Sequence, residues 1–137
     1  GFAGTVGAAA QDKEKAAPKI EGTYKIVGGA KDGAAIGDDA KKEPVTVDAK
    51  TFRIGEKGKG FAMSYKLDTS ATPTKIDMVI EETPDSFKDA KGAKGYGIIA
   101  AGKGGTLKLA YSLDKDNRPT KFGGKEGFYF ELKKAEK

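Results

Sequence analysis

Residues 58–67 alternate in character, with Phe61, Met63, Tyr65 and Leu67 on one face and Ala62, Ser64 and Lys66 on the other. A period of two is that of a half-buried β-strand. The pattern recurs at Ile76, Met78 and Ile80, at Leu107, Leu109 and Tyr111, and at Phe128, Phe130 and Leu132, with Gly-rich breaks between most runs. It predicts strands at about 20–27, 44–49, 51–55, 60–67, 75–81, 95–101, 106–112, 118–122 and 127–133. Gly28-Gly29, Gly55 to Gly60, Gly102 to Gly105, Asp114 to Asn117 and Gly123-Gly124 supply the turns. Residues 28–44 are expected to form a loop or a short helical turn, and residues 85–94 are a second irregular stretch.

The inward-facing candidates are Tyr24, Ile26, Val45, Val47, Phe52, Ile54, Phe61, Met63, Tyr65, Leu67, Ile76, Met78, Ile80, Ile98, Leu107, Leu109, Tyr111, Phe128, Phe130 and Leu132. One sheet curled on itself, or two face to face, would bury them. The expected fold is all-β: a single antiparallel barrel of about eight strands spanning residues 20–137, preceded by an extended N-terminal tail, residues 1–19. A barrel of about eight strands is just wide enough to be filled by side chains or to hold one small ligand, and the aromatic content favours filling.

The chemistry of the composition is sparse. The chain has no His and no Cys, which removes the commonest general base, the thiol nucleophile and the usual zinc and copper ligands. Ser64, Ser70, Ser86 and Ser112 have no His partner and none sits in a Gly-x-Ser-x-Gly turn. Glu81 and Glu82 adjoin on a strand, so regular alternation would send them to opposite faces and separate them as an acid–nucleophile pair. The run Asp114-Lys115-Asp116-Asn117 lacks the distal Glu of a calcium loop and reads as a polar hairpin turn. No catalytic residue, cofactor or metal is expected, and the chain is read as a non-enzyme.

The net charge of +5 arises from 25 basic and 20 acidic residues interspersed along the chain. Only Arg53 and Arg118 are arginines, so the guanidinium forks and stacking aromatics of a nucleic-acid surface are missing. No run approaches the roughly 18 apolar residues of a membrane helix.

Gly22-Thr23-Tyr24-Lys25-Ile26-Val27 with Gly33, Lys66-Leu67-Asp68 leading to Pro73-Thr74-Lys75-Ile76-Asp77-Met78, Gly105-Thr106-Leu107-Lys108-Leu109, and Arg118-Pro119-Thr120-Lys121-Phe122 stand in this order along the chain. Together they resemble an uncharacterised domain family expanded in Planctomycetes, whose members look like small exported, lipocalin-like β-barrels. Order and spacing match across residues 20–133. The family usually has Trp where this chain has Tyr24, and a Cys often follows the Leu-Lys-Leu strand where this chain has Ala110. The resemblance brings no enzymatic activity. Tyr24, Asp68, Asp77, Arg118, Pro119 and Phe122 form the expected structural motif: an Arg beside a closing strand pairs with a structural carboxylate, here Asp68 or Asp77, the competing use of Arg118 being a bidentate clamp on an anion.

The tail is the segment the barrel does not require. Residues 1–10 carry no charge, Ala8-Ala9-Ala10 has the small-residue character of an export-signal cleavage site, and Asp12 to Lys19 is a charged spacer. At period two Phe2, Gly4, Val6 and Ala8 share one face, a thin strand with two apolar knobs. The expected function is therefore a non-enzymatic, exported structural protein that polymerises with other copies of itself into an extracellular fibre or surface structure by N-terminal strand donation. The alternative is a lipocalin-like binder of a small apolar ligand, for which an interior cavity of about 300 Å³ or more is the discriminating feature.

Overall fold

The computed structural model describes residues 20–56, 58–123 and 125–135. Among the described residues nine strands follow one another: β1 (Gly22–Lys31), β2 (Ala34–Ala35), β3 (Pro44–Val47), β4 (Thr51–Ile54), β5 (Phe61–Asp68), β6 (Thr74–Glu82), β7 (Lys94–Ala101), β8 (Thr106–Ser112) and β9 (Phe128–Lys134). Every pairing is antiparallel, consecutive strands from β3 to β9 are neighbours, and β9 returns to pair with β1. The result is a closed eight-stranded up-and-down barrel with β2 as an extra short strand on β1. Closure removes the continuous free edge that an open sheet would carry.

Alternation sorts the side chains as the period of two requires. Phe52, Ile76, Met78, Ile99, Leu107, Leu109, Leu132 and Val45 are the largest side chains shut off from solvent, and they meet inside the barrel in one cluster. Residue identity in β7 explains how they fit. Gly97 faces inward beneath Tyr111, where an added Cβ would come within 2.3 Å of the Ala110 carbonyl oxygen and 2.8 Å of Tyr111 Cβ. The missing side chain makes room for the aromatic ring.

Two bulges modify the ladder. Between β9 and β1, Leu132 pairs with Ile26 and Glu131 with Gly28, leaving Val27 as the extra, exposed residue. Between β5 and β6, Met63 pairs with Ile80 and Ala62 with Glu82, leaving Glu81 as the extra residue. This second bulge corrects the expectation from regular alternation. Glu81 accepts a hydrogen bond from Ser64 Oγ at 2.8 Å and Glu82 accepts from Arg53 at 3.2 Å, so both carboxylates lie on the outer surface.

Three expectations about elements need correction. Residues 118–122 form no strand: after a short 3₁₀ turn, Lys115–Asn117, the chain crosses the outside of the barrel and seats Phe122 against Tyr129. Ile98 is not an inward residue, because it forms an outer cluster with Ala110, Tyr129 and Phe122, and Ile99 takes the inner place. The first strand runs on to Lys31, and the following stretch contains β2 and a single helical turn, α1 (Asp38–Lys41). The second irregular stretch is a 3₁₀ element, Asp85–Ala90.

Candidate functional site

The two ends of the barrel differ in how they are finished. At the lower end, where β1 begins and β9 finishes, Ile20 is 2% exposed and lodges in the core. Tyr24 points inward and donates its hydroxyl hydrogen to the Ile20 carbonyl at 2.7 Å. Tyr65, also at this end, donates to the Asp48 carbonyl at 2.5 Å. Burial raises the pKa of both phenols, and for Tyr65 the nearby carboxylates of Glu21 and Asp48 add to the effect. Asp48 itself caps the β3–β4 turn by accepting from the Lys50 and Thr51 amides, which lowers its pKa.

The upper end is aromatic and less fully covered. Ile54, Phe61, Phe128 and Phe130 close this end of their strands, with Ile36 from the β1–β3 connection packed beside them, and all five are only half-buried. The 3₁₀ element after β6 is held in place by the Gly92 amide donating to the Ile80 carbonyl at 2.7 Å. It presents Phe87, 55% exposed, with its ring centroid 5.6 Å from that of Phe61. Lys31 Nζ sits 5.3 Å from the centre of the Phe128 ring, at the rim.

Below this rim lies Tyr111. Its ring stacks on Phe128 at 4.8 Å and lies near Phe130 at 6.4 Å, and the residue is 7% exposed. Unlike Tyr24 and Tyr65, it has no hydrogen-bond partner for its hydroxyl among the described residues. Burial alone pushes its pKa up strongly. A buried hydroxyl without a partner costs about 1–3 kcal/mol relative to a bonded one, so among the described residues the upper end holds an unanswered polar group inside an apolar lining.

The residues of the sequence motif are used elsewhere. Arg118 lies over the outer face of β6 and β7, donating to the Ile76 carbonyl at 3.1 Å and the Gly97 carbonyl at 2.8 Å, and to Asp77 Oδ1 at 2.5 Å. Its guanidinium carbon is 5.6 Å from the Tyr96 ring centre. Two backbone acceptors, one carboxylate and an aromatic face occupy this group, and Pro119 directs the chain from it toward Phe122. Asp68 is not its partner: it accepts from the Ser70 amide and hydroxyl in its own turn, which lowers its pKa. Tyr24, expected in the same motif, belongs to the lower plug.

A shallow depression of about 350 Å³ lies on the outside, with Ser64, Lys66, Asp77, Val79, Lys94 and Tyr96 around the row Tyr65, Met78 and Gly95. Its position on the outer wall separates it from the interior that a carrier would use. Phe2, Gly4, Val6 and Ala8, the expected assembly face, lie outside the described residues. Alternation alone placed Phe61, Tyr111, Phe128 and Phe130 inside; what it missed was the exposed Phe87, the contribution of Ile36, and that one of three inward phenols has no partner among the described residues. Hydroxyl pairing depends on which carbonyl arrives from a distant turn, and no local pattern carries that information. Among the described residues no group of three or more acidic residues stands close enough to hold a metal ion, and no helix is long and apolar enough to cross a membrane. No protein-family model matches the chain, and neither the curated proteins nor the solved structures contain a significant match.

Proposed function

We propose that this protein is a non-enzymatic structural module, exported from the cell, whose barrels join head to tail through the uncharged N-terminal segment to build a fibre or surface structure. The observation that carries the reading is polarity. The tail joins the barrel at the lower end, plugged by Ile20, while the aromatic surface that carries the exposed Phe87 is at the opposite end. A segment rooted at one end and a receptive surface at the other make a heterologous contact, which builds a fibre when it repeats head to tail without closing into a ring. Nineteen residues in extended form would reach roughly 60 Å, more than twice the height of such a barrel, so the distance to a neighbour is no obstacle.

The filled interior supports this reading over that of a small-molecule carrier, because the side chains of Phe52, Met78, Leu107 and Leu109 stand where a deep ligand would sit. The engagement of Arg118 by carbonyls and Asp77 supports a structural use for the one motif that resembled an anion clamp. Export rests on the resemblance described above, and the donor reading requires that residues 1–10 stay on the exported chain.

Light scattering on the full chain over a range of concentrations tests the proposal. Concentration-dependent growth that is abolished by Phe2→Asp, with the circular dichroism spectrum unchanged, is the expected result. A monomer at every concentration, insensitive to that substitution, would overturn it.

A further inference from the structure

We infer that the acceptor for the donated segment is the aromatic upper mouth, and that residues 2–8 of a second copy lie across Phe61, Phe87, Phe128 and Phe130 with a backbone group meeting the Tyr111 hydroxyl. This rests on the assembly reading above and names its docking site. Three observations converge. Phe87 is the most exposed large apolar side chain described in the molecule, and it is placed beside Phe61 by a backbone-anchored 3₁₀ element rather than by a free loop. Around it, Ile36, Ile54, Phe128 and Phe130 remain half-buried although their neighbours deeper in the barrel are fully covered. Beneath them, Tyr111 is more than nine-tenths buried with its hydroxyl unpartnered among the described residues.

The chemistry of the occupant follows from the lining. An apolar wall with a single polar group suits a ligand that is uncharged, carries apolar knobs and offers carbonyl or amide groups at intervals. Residues 1–10 have that composition, with Phe2 and Val6 as knobs and small residues between them that let the backbone approach closely. A charged segment such as residues 12–19 would have to desolvate its ions against these rings. In the bound state the Tyr111 hydroxyl either donates to a backbone carbonyl or accepts from an amide, and its neutral form, favoured by burial, can do either.

The alternative acceptor is the lower end of β5. There β4 ends its pairing at Thr51 with Ser64, so among the described residues no strand pairs with Lys66 to Asp68 on that side. Because the chain contains no Cys, single cysteines separate the two sites cleanly. Ala3→Cys chains are mixed with either Lys31→Cys chains, which mark the upper rim, or Lys66→Cys chains, which mark the lower edge, and oxidised. All these positions spare the aromatic lining, and different mass tags on the two chains identify mixed dimers on a non-reducing gel.

Mixed disulfides between positions 3 and 31, at least about tenfold more abundant than between positions 3 and 66, are expected for a central contact patch. Phe87→Ser should raise the concentration for half-assembly by about tenfold while leaving the melting temperature unchanged, since this side chain is outside the core. Preference for position 66, or assembly without any disulfide to position 31, would overturn the docking site and leave the assembly reading intact. No mixed disulfide together with a monomer by light scattering would overturn both.

Discussion

The lower and upper ends of the barrel are built from the same materials and finished differently. Both are lined by aromatic and branched aliphatic side chains on alternating positions. At the lower end, Ile20 plugs the opening and two inward tyrosines give their hydroxyl hydrogens to the carbonyls of Ile20 and Asp48. At the upper end, five apolar residues stay half-buried, Phe87 projects, and the third inward tyrosine has no partner among the described residues. Both ends carry half-buried lining residues, Tyr65 and Leu67 below and Phe61, Phe128 and Phe130 above; the Ile20 plug, the projecting Phe87 and the pairing of the hydroxyls are what separate them. An end that satisfies its own hydroxyls needs nothing more, whereas an apolar end with an orphaned one is better off covered.

The largest effect should come from breaking the sealed end. Ile20→Asp would place an unpaired carboxylate in the core at a cost of about 3–5 kcal/mol or more, enough to unfold a marginally stable domain. The same change at the opposite end, Phe87→Asp, should leave stability within roughly 0.5 kcal/mol, as for a surface position. Urea titration monitored by circular dichroism compares the two directly. Equal losses would remove the distinction between the ends.

Gly97→Ala comes next. The new methyl would collide with the Ala110 carbonyl and Tyr111 Cβ, and backbone cannot yield cheaply, so a loss of about 1–3 kcal/mol is expected. Because the collision is with Tyr111, amide chemical-shift changes should concentrate at the upper end. Arg118→Ala, on the wall between the ends, should cost about 1–2 kcal/mol through the two abandoned carbonyls, its exposed ion pair to Asp77 adding little. Arg118→Lys should recover only part of this, since a single ammonium cannot reproduce the fork over Tyr96.

The alkaline limb of stability is a smaller and more diffuse test. Burial raises the pKa of Tyr24, Tyr65, Tyr111 and Tyr129, with Glu131 adding to the shift at Tyr129. A raised value means that the fold favours the neutral phenol. Its contribution is therefore complete below the unfolded value of about 10 and is lost as pH climbs through the folded values. Thermal unfolding should be flat across neutral pH and fall above about pH 10, less steeply in Tyr111→Phe.

Much of this architecture was legible in the chain. The alternation at Phe61 to Leu67 and Leu107 to Tyr111 placed those strands and their inner faces, because a closed barrel leaves each strand one dry face and one wet one. The failures share a cause in tertiary context. Ile98 and Ile99 are adjacent and equally apolar, and only the arrival of Phe122 across the outer wall gives Ile98 a dry environment of its own. Residues 118–122 have the β-branched and aromatic content of a strand, yet Arg118 finds its carbonyls on β6 and β7, which holds this segment across the ladder. The bulge at Glu81 shifts one carboxylate to the outer surface, and nothing in the local sequence distinguishes it from Glu82. The apolar lining of the candidate site could be read; its openness could not, since exposure depends on which connection caps which end.

The contrast between the ends is tested most directly by deleting one oxygen atom at each. Tyr24→Phe and Tyr111→Phe are compared by equilibrium denaturation at a concentration where the chain is monomeric. Tyr24→Phe abandons the Ile20 carbonyl and should lose about 1 kcal/mol, whereas Tyr111→Phe removes a hydroxyl with no partner among the described residues and should be neutral or slightly stabilising. If Tyr111→Phe costs the monomer as much as Tyr24→Phe, the upper hydroxyl already has its partner and the asymmetry between the ends does not exist.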